Sequence, residues 1–144
     1  MPDPSANAWE DALIADLRAN DGRPSFGPLA GNPLLVMTST GAKSGLPRRA
    51  ILTYTRDGDD YIVAGTKSGA PEDPLWVQNV RVNPDVKIEI GTRTFPATAT
   101  VLADGAERDR LWDAHATELP AFAPYPAMAG RIIPMIRLAP SEAS

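Results

Sequence analysis

Apolar positions along this chain change period from one segment to the next, and those changes mark out its elements. Trp9, Leu13 and Leu17 recur at helical spacing after Ser5, with Ala12 and Ile14 beside them, and Asn20-Asp21-Gly22 supplies a stop. That spacing predicts a first helix over residues 6–19. Gly22 to Pro33 then holds three glycines and three prolines and reads as an irregular lead-in. Strand-like runs follow at Leu34–Thr40, Arg48–Arg56 and Tyr61–Thr66, the last two joined by the turn Asp57-Gly58-Asp59-Asp60. A short helix over Leu75–Val82 is stopped by Asn83-Pro84.

Period-two alternation returns further on. Val86, Ile88 and Ile90 alternate with Lys87 and Glu89, and after Gly91-Thr92 the positions Phe95, Ala97, Ala99 and Val101 alternate with polar neighbours. This predicts a second hairpin of half-buried strands. Asp104 and Glu107 have capping-box spacing for a helix running to Leu119, with Leu111 and Trp112 on its buried side. A proline-rich loop, Pro120 to Pro126, leads to a last strand at Ile132–Leu138. About six mainly antiparallel strands in hairpin order, with helices at the edges, indicate an α+β barrel. The βαβ alternation and GxGxxG of a Rossmann fold are absent.

Composition narrows the chemistry. The 144 residues suit a single domain over 1–144, with 1–7 and 140–144 as loose tails. There is no cysteine and one histidine, which excludes thiolate metal sites, iron–sulfur clusters and multi-histidine metal centres. No metal site is expected. The formal net charge of −4 argues against broad nucleic-acid binding, and no apolar run approaches the length of a membrane span. Met1 to Asp11 is polar and acidic, unlike a signal peptide, so a cytoplasmic protein with a small-molecule ligand is expected. Membrane contact is expected to be at most peripheral, at the inner face. No interface pattern identifies an oligomeric state.

Against that acidic background one segment is basic. Thr40-Gly41-Ala42-Lys43-Ser44-Gly45-Leu46-Pro47-Arg48-Arg49 links two strands and carries two glycines, a hydroxyl and three cations. Turn N–H groups can form a concavity for an anion while Lys43, Arg48 and Arg49 neutralise it. It is not a Walker A loop, because the four-residue spacer and the following helix are missing. If the 57–60 turn closes a hairpin, opposed residues sum to 117. Tyr54 then faces Val63, Leu52 faces Gly65, and Ala50 faces Lys67, so that Lys43, Arg48 and Lys67 converge on one anion while Arg49 points to the other face. The bland alternative is a set of solvated charges beside two loops.

Four motifs in order carry a resemblance: Thr-Ser-Thr-Gly-Ala-Lys-Ser-Gly-Leu-Pro-Arg (38–48), Lys-Ser-Gly-Ala-Pro (67–71), Pro-Leu-Trp-Val-Gln-Asn (74–79) and Asn-Pro-Asp-Val (83–86). Over residues 8–138 the chain resembles the deazaflavin-dependent nitroreductase family. Its members are split β-barrel reductases, on an FMN-binding-like barrel, that use the 8-hydroxy-5-deazaflavin coenzyme F420. The resemblance implies hydride transfer from the reduced cofactor to a quinone, a nitro-compound or another electron-poor acceptor. It implies that Lys43, Arg48 and Lys67, with Arg49 adjacent, hold the cofactor's phosphate and acidic tail. Backbone N–H groups from Ala42, Lys43, Ser44, Gly45 and Leu46, up to Pro47, would add donors.

By the same resemblance, Ala64, Gly65 and Thr66 line the deazaflavin ring, while Trp76 and Asn79 border the pocket. Tyr125 contacts the acceptor. Leu119 and Phe122 stand where relatives can have Tyr, and Met128 where an Arg is often found, so reduction of nitro-compounds is not implied as firmly as cofactor use. Two other functions stay open: an FMN-dependent oxidoreductase on the same barrel, and a non-catalytic cofactor carrier. His115, Trp9 and Trp112 read as structural, with His115 at the surface or half-buried, and Tyr54 as facing the barrel interior.

Overall fold

A computed structural model describes residues 4–20, 22, 23, 25, 33–66 and 71–141, and side chains within the first helix from residue 11 onward. The element order is α1 (Pro4–Ala19), β1 (Leu34–Thr40), β2 (Pro47–Thr53), β3 (Thr55–Asp57), β4 (Asp60–Ala64), α2 (Leu75–Val82), β5 (Asp85–Ile90), β6 (Arg93–Val101), α3 (Ala106–Glu118), a 3-10 turn at Pro120–Phe122, α4 (Tyr125–Ala129) and β7 (Met135–Pro140). The strands form one sheet in the order β2-β1-β5-β6-β7-β4-β3, and all its pairings are antiparallel. The antiparallel α+β barrel expected from the hairpin pattern is therefore present, with seven strands rather than six. The extra strand arises because the run Arg48–Arg56 breaks at Tyr54.

Alternation explains which residues fill the barrel. Leu35 and Met37 of β1, Tyr61 and Val63 of β4, Val86, Ile88 and Ile90 of β5, and Ile136 and Leu138 of β7 pack in one interior cluster. Their odd-numbered or even-numbered neighbours are also apolar where a helix covers the outside. Leu34, Val36 and Ile51 pack against Leu13, Ile14 and Leu17 of α1. Ile62, Ala64, Ile133 and Met135 pack with Leu111 of α3 and Ala129 of α4. Strands covered on both faces lose the polar half of the pattern, which is why Leu34–Met37 and Tyr61–Ala64 read as continuous apolar runs. Val77 and Val80 of α2 enter the interior cluster.

Several local expectations need correction. The chain registers Thr55–Ile62, Arg56–Tyr61 and Asp57–Asp60, as the sum of 117 requires, but pairing stops there. Ala50 pairs with Met37 and Leu52 with Leu35, both on β1, so neither faces Lys67 or Gly65. Tyr54 sits between strands and donates its N–H to Pro33 O at 3.3 Å. The capping box does not form: α3 starts after Gly105 without a side-chain cap. Glu107 instead accepts from Arg137, which also donates to Asp57 and Asp60 at 2.9 Å each and ties the β3–β4 turn to β7. The proline-rich loop contains the 3-10 turn and the start of α4. At the two ends, α1 begins at Pro4, β7 reaches Pro140 and Ser141 N–H bonds Pro96 O.

Candidate active site

The break at Tyr54 opens the barrel. β2 and β3 are the two ends of the sheet, joined only through Tyr54, and β3 pairs with no more than three residues of β4. Beyond that point β2 and β4 do not pair. A cleft of about 380 Å³ lies between them, bordered by residues 50–53 of β2, Ala64 and Thr66, Pro74 and Trp76, and Phe122 and Tyr125. Among the described residues, no charged side chain lines it. Unpaired strand edges keep their backbone donors and acceptors available to a ligand.

A second cavity, of about 660 Å³, adjoins the first through Ala50, Pro74 and Trp76, which border both. Its far wall is the basic turn: Gly41, Ala42, Lys43 and Ser44, with Arg48 and Arg49 of β2. Its near wall is the start of α2, from Leu75 to Asn79. The result is one groove, cationic at one end and, among the described residues, uncharged at the other. Arg48 donates to Ser44 Oγ at 3.4 Å, while Arg49 reaches Asp11 of α1 at 3.3 Å. Arg49 shares its face with Ile51, under α1, whereas Leu52, on the face of Arg48 and Ala50, packs on the interior cluster.

The turn is tightly wound. Gly45 adopts φ +71°, which favours glycine, while a Cβ on Gly41 would lie 2.5 Å from Ser44 Oγ and 3.3 Å from Leu46 O, so Ser44 would have to rotate away from the turn. Four of its amides are already engaged: Gly41 N–H donates to Leu46 O, Gly45 N–H to Gly41 O, Leu46 N–H to Ser44 Oγ, and Ala42 N–H to Asn79 Oδ1 at 2.9 Å. The donors facing an anion are thus fewer than the motif suggests, and centre on Lys43 and Ser44. Gly45, Leu46 and Pro47 lie outside the groove lining, with Leu46 exposed. Asn79 acts here as a pillar that fixes the turn to α2.

The remaining expected residues divide. Ala64, Thr66, Trp76 and Tyr125 border the cleft. Gly65, expected to let a ring approach, is instead pinched between Val77 and Pro134, each 2.8 Å from where its Cβ would stand. Lys67 and the side chain of Trp9 lie outside the described residues. Leu119 is buried away from the cleft and Met128 is exposed. Tyr54 packs on the interior cluster and meets Tyr61 edge-on at 5.3 Å; burial raises its pKa. His115 is fully buried rather than superficial: burial pushes its pKa down to about 4, and its Nε2 has no partner among the described residues.

From the sequence, Arg131 has no expected role and His115 is expected at the surface or half-buried; the structure puts both next to the cleft. His115 meets Phe122 edge-on at 4.8 Å, and Phe122 in turn lies 5.4 Å from Tyr125, so the histidine stands behind the cleft wall. Arg131 donates to the carbonyls of Gly65, Thr66 and Glu72 and to Asp73 Oδ1. No motif announces such contacts, because the acceptors are mostly backbone atoms some sixty residues away.

Residues 12–140 match the F420H(2)-dependent quinone reductase family. The chain belongs to that family. Its protein is accordingly an oxidoreductase, and its cofactor is F420 rather than FMN. Similarity to individual relatives agrees. The F420H(2)-dependent quinone reductase Rv1261c of Mycobacterium tuberculosis is 35% identical over 123 residues, 84% of this chain and 83% of that protein. A putative F420H(2)-dependent quinone reductase of the same organism, Rv3178, is 35% identical over 75% of this chain and 90% of its own length. The solved structure of an F420-H2 dependent reductase, FDR-A, superposes with TM-score 0.67 at 34% identity, covering 74% of this chain and 93% of that one. A putative pyridoxamine 5'-phosphate oxidase of Listeria innocua, 18% identical with TM-score 0.53, covering 93% of this chain and 94% of that one, shares the split-barrel fold. Among the described residues, no helix is long and apolar enough to cross a membrane.

Proposed function

We infer that this protein passes hydride from reduced F420 to a quinone held between the cofactor and Tyr125. The observation that carries this reading is the two-part groove, cationic beside Lys43, Arg48 and Arg49 and, among the described residues, uncharged beside Trp76 and Tyr125. That division fits F420, whose phosphate and acidic tail need cations while its flat ring does not. Lys43 and Arg48 neutralise the anionic part, and the N–H groups of Lys43 and Ser44 add dipoles aimed at it. Lys67 joins them on the strength of its motif. Ala64, Thr66 and Trp76 flank the ring between the unpaired strand edges.

When bound, the reduced deazaflavin supplies hydride from its C5 carbon, so the protein's part is orientation and exclusion of water. Phe122 and Leu52 present apolar surface to the cleft and keep it dry. The Tyr125 hydroxyl hydrogen-bonds the acceptor oxygen as negative charge develops there. A neutral, planar acceptor suits a lining without charges among the described residues; a quinone meets that description, and electron-poor nitroarenes are the second class to try.

Titration of the wild-type protein with F420, followed by deazaflavin fluorescence, tests the first half. Absence of binding sinks the assignment. Oxidation of F420H2 by a soluble naphthoquinone tests the second half, and tight binding without turnover would make the protein a carrier instead. Tyr125→Phe should lower kcat about tenfold while leaving the cofactor Kd unchanged.

A further inference from the structure

Arg131 lies one residue past Gly130, whose left-handed φ of +65° ends α4 and turns the chain back towards the barrel. Its side chain is only 15% exposed. One nitrogen, Nη2, donates to Gly65 O at 3.1 Å, Thr66 O at 3.2 Å and Glu72 O at 3.0 Å; the other, Nη1, pairs with Asp73 Oδ1 at 2.6 Å. These acceptors stand on both sides of residues 67–70 in the sequence. Gly65 N–H also donates to Pro134 O at 2.9 Å, so the same short stretch before β7 holds this segment twice.

The held segment borders the groove. Thr66 lines the cleft, and Pro74, next to Asp73, lines both cavities. On the other side of Arg131, α4 begins with Tyr125, which also lines the cleft. We propose that Arg131 is a positioning residue for the reaction: its guanidinium ties Gly65, Thr66, Glu72 and Asp73 to the end of α4, holding the Thr66 and Pro74 parts of the cleft lining in place relative to Tyr125. This rests on the functional reading given above for what occupies the cleft.

The chemistry favours arginine specifically. Four acceptors spread over two chain segments need a planar fork with several donors, whereas a lysine ammonium is a compact charge that reaches fewer of them. The tie is charge-assisted and the guanidinium itself is mostly shielded from water, although Asp73 is 41% exposed, so its loss is felt more than that of a fully exposed pair. Loss of the fork frees the Thr66 and Pro74 parts of the lining at once. Cofactor and acceptor should therefore both be affected, although Arg131 itself is not in the cleft lining.

Arg131→Met, Arg131→Lys and Asp73→Asn separate these possibilities. Arg131→Met should raise the F420 Kd roughly tenfold, equivalent to about 1.4 kcal/mol, and raise the KM for a naphthoquinone more than it lowers kcat. Arg131→Lys should recover less than half of that loss. Asp73→Asn, which keeps the three carbonyl contacts, should be the mildest and stands in should Arg131→Met not fold. Wild-type Kd and KM in variants that merely melt at lower temperature would overturn the proposal. Hydrogen exchange of amides 64–66, 72, 73, 75 and 76, measured without cofactor, reads the tie itself. Faster exchange in Arg131→Met supports it and unchanged exchange overturns it, even if the wild-type protein were to bind no F420.

Discussion

The Nδ1 atom of His115 lies 2.8 Å from Oγ1 of Thr55, joining the buried face of α3 to the first residue of β3, directly after the break that opens the barrel. Both residues are buried. The hydrogen bond and the edge-on contact with Phe122 place a neutral imidazole between the hinge of the opening and the wall that carries Tyr125.

Burial of His115 predicts an acid-labile fold. Its folded pKa of about 4 lies below the ordinary value of 6.5, because the charged form would be desolvated. The unfolded chain therefore takes up the proton first. The stability from keeping His115 neutral is complete above pH 6.5, declines as pH falls, and is gone below pH 4. It amounts to roughly 3 kcal/mol at most. Asp57, held low by Arg110 and Arg137, adds a loss of the same sign at lower pH. Thermal melts at pH 7 and pH 4.5 should differ more for wild type than for His115→Gln; equal differences would refute the assignment.

Gly65→Ala should destabilise the fold by about 1–3 kcal/mol through overpacking. The added methyl would sit 2.8 Å from both Val77 Cγ2 and Pro134 Cγ, and Pro134 is a rigid ring with little room to yield. Melting temperature should fall by several degrees relative to wild type. An unchanged melt would mean that α2 and the stretch before β7 move apart at little cost.

Lys43→Ala and Arg48→Ala should each raise the F420 Kd roughly threefold to tenfold, the modest range expected of exposed cations. Both side chains are exposed, so salt screens their effect and the gap from wild type should narrow as ionic strength rises. Equal affinities at low salt would show that these charges are merely solvated. The double variant, compared with the two single ones, would tell whether they act on one anion.

Strand positions were legible because their signal is local. Val86, Ile88 and Ile90 face the interior in the structure as their alternation requires, and α2 spans the residues that its flanking prolines delimit. The basic turn was legible for the same reason: glycines, a hydroxyl and cations within ten positions describe one short piece of backbone. His115 shows the opposite case. Its helix is polar on most faces, and nothing nearby in sequence indicates that Thr55 and Phe122 will enclose it.

The amino-acid sequence by itself determined the kinds of element, their order, the exclusion of thiolate and multi-histidine centres, and a turn suited to an anion. Each follows from side-chain type and spacing over a few residues. Partner choice did not follow. Ala50 and Leu52 have the apolar alternation that either neighbour could accept, and they pair with β1 rather than β4. That choice depends on α1 covering Leu34, Val36 and Ile51 together, a packing energy spread over residues far apart in the chain. With β2 held by β1, its other edge stays free, and the tertiary structure turns a proposed hairpin into the open cleft where the basic turn, Trp76 and Tyr125 meet.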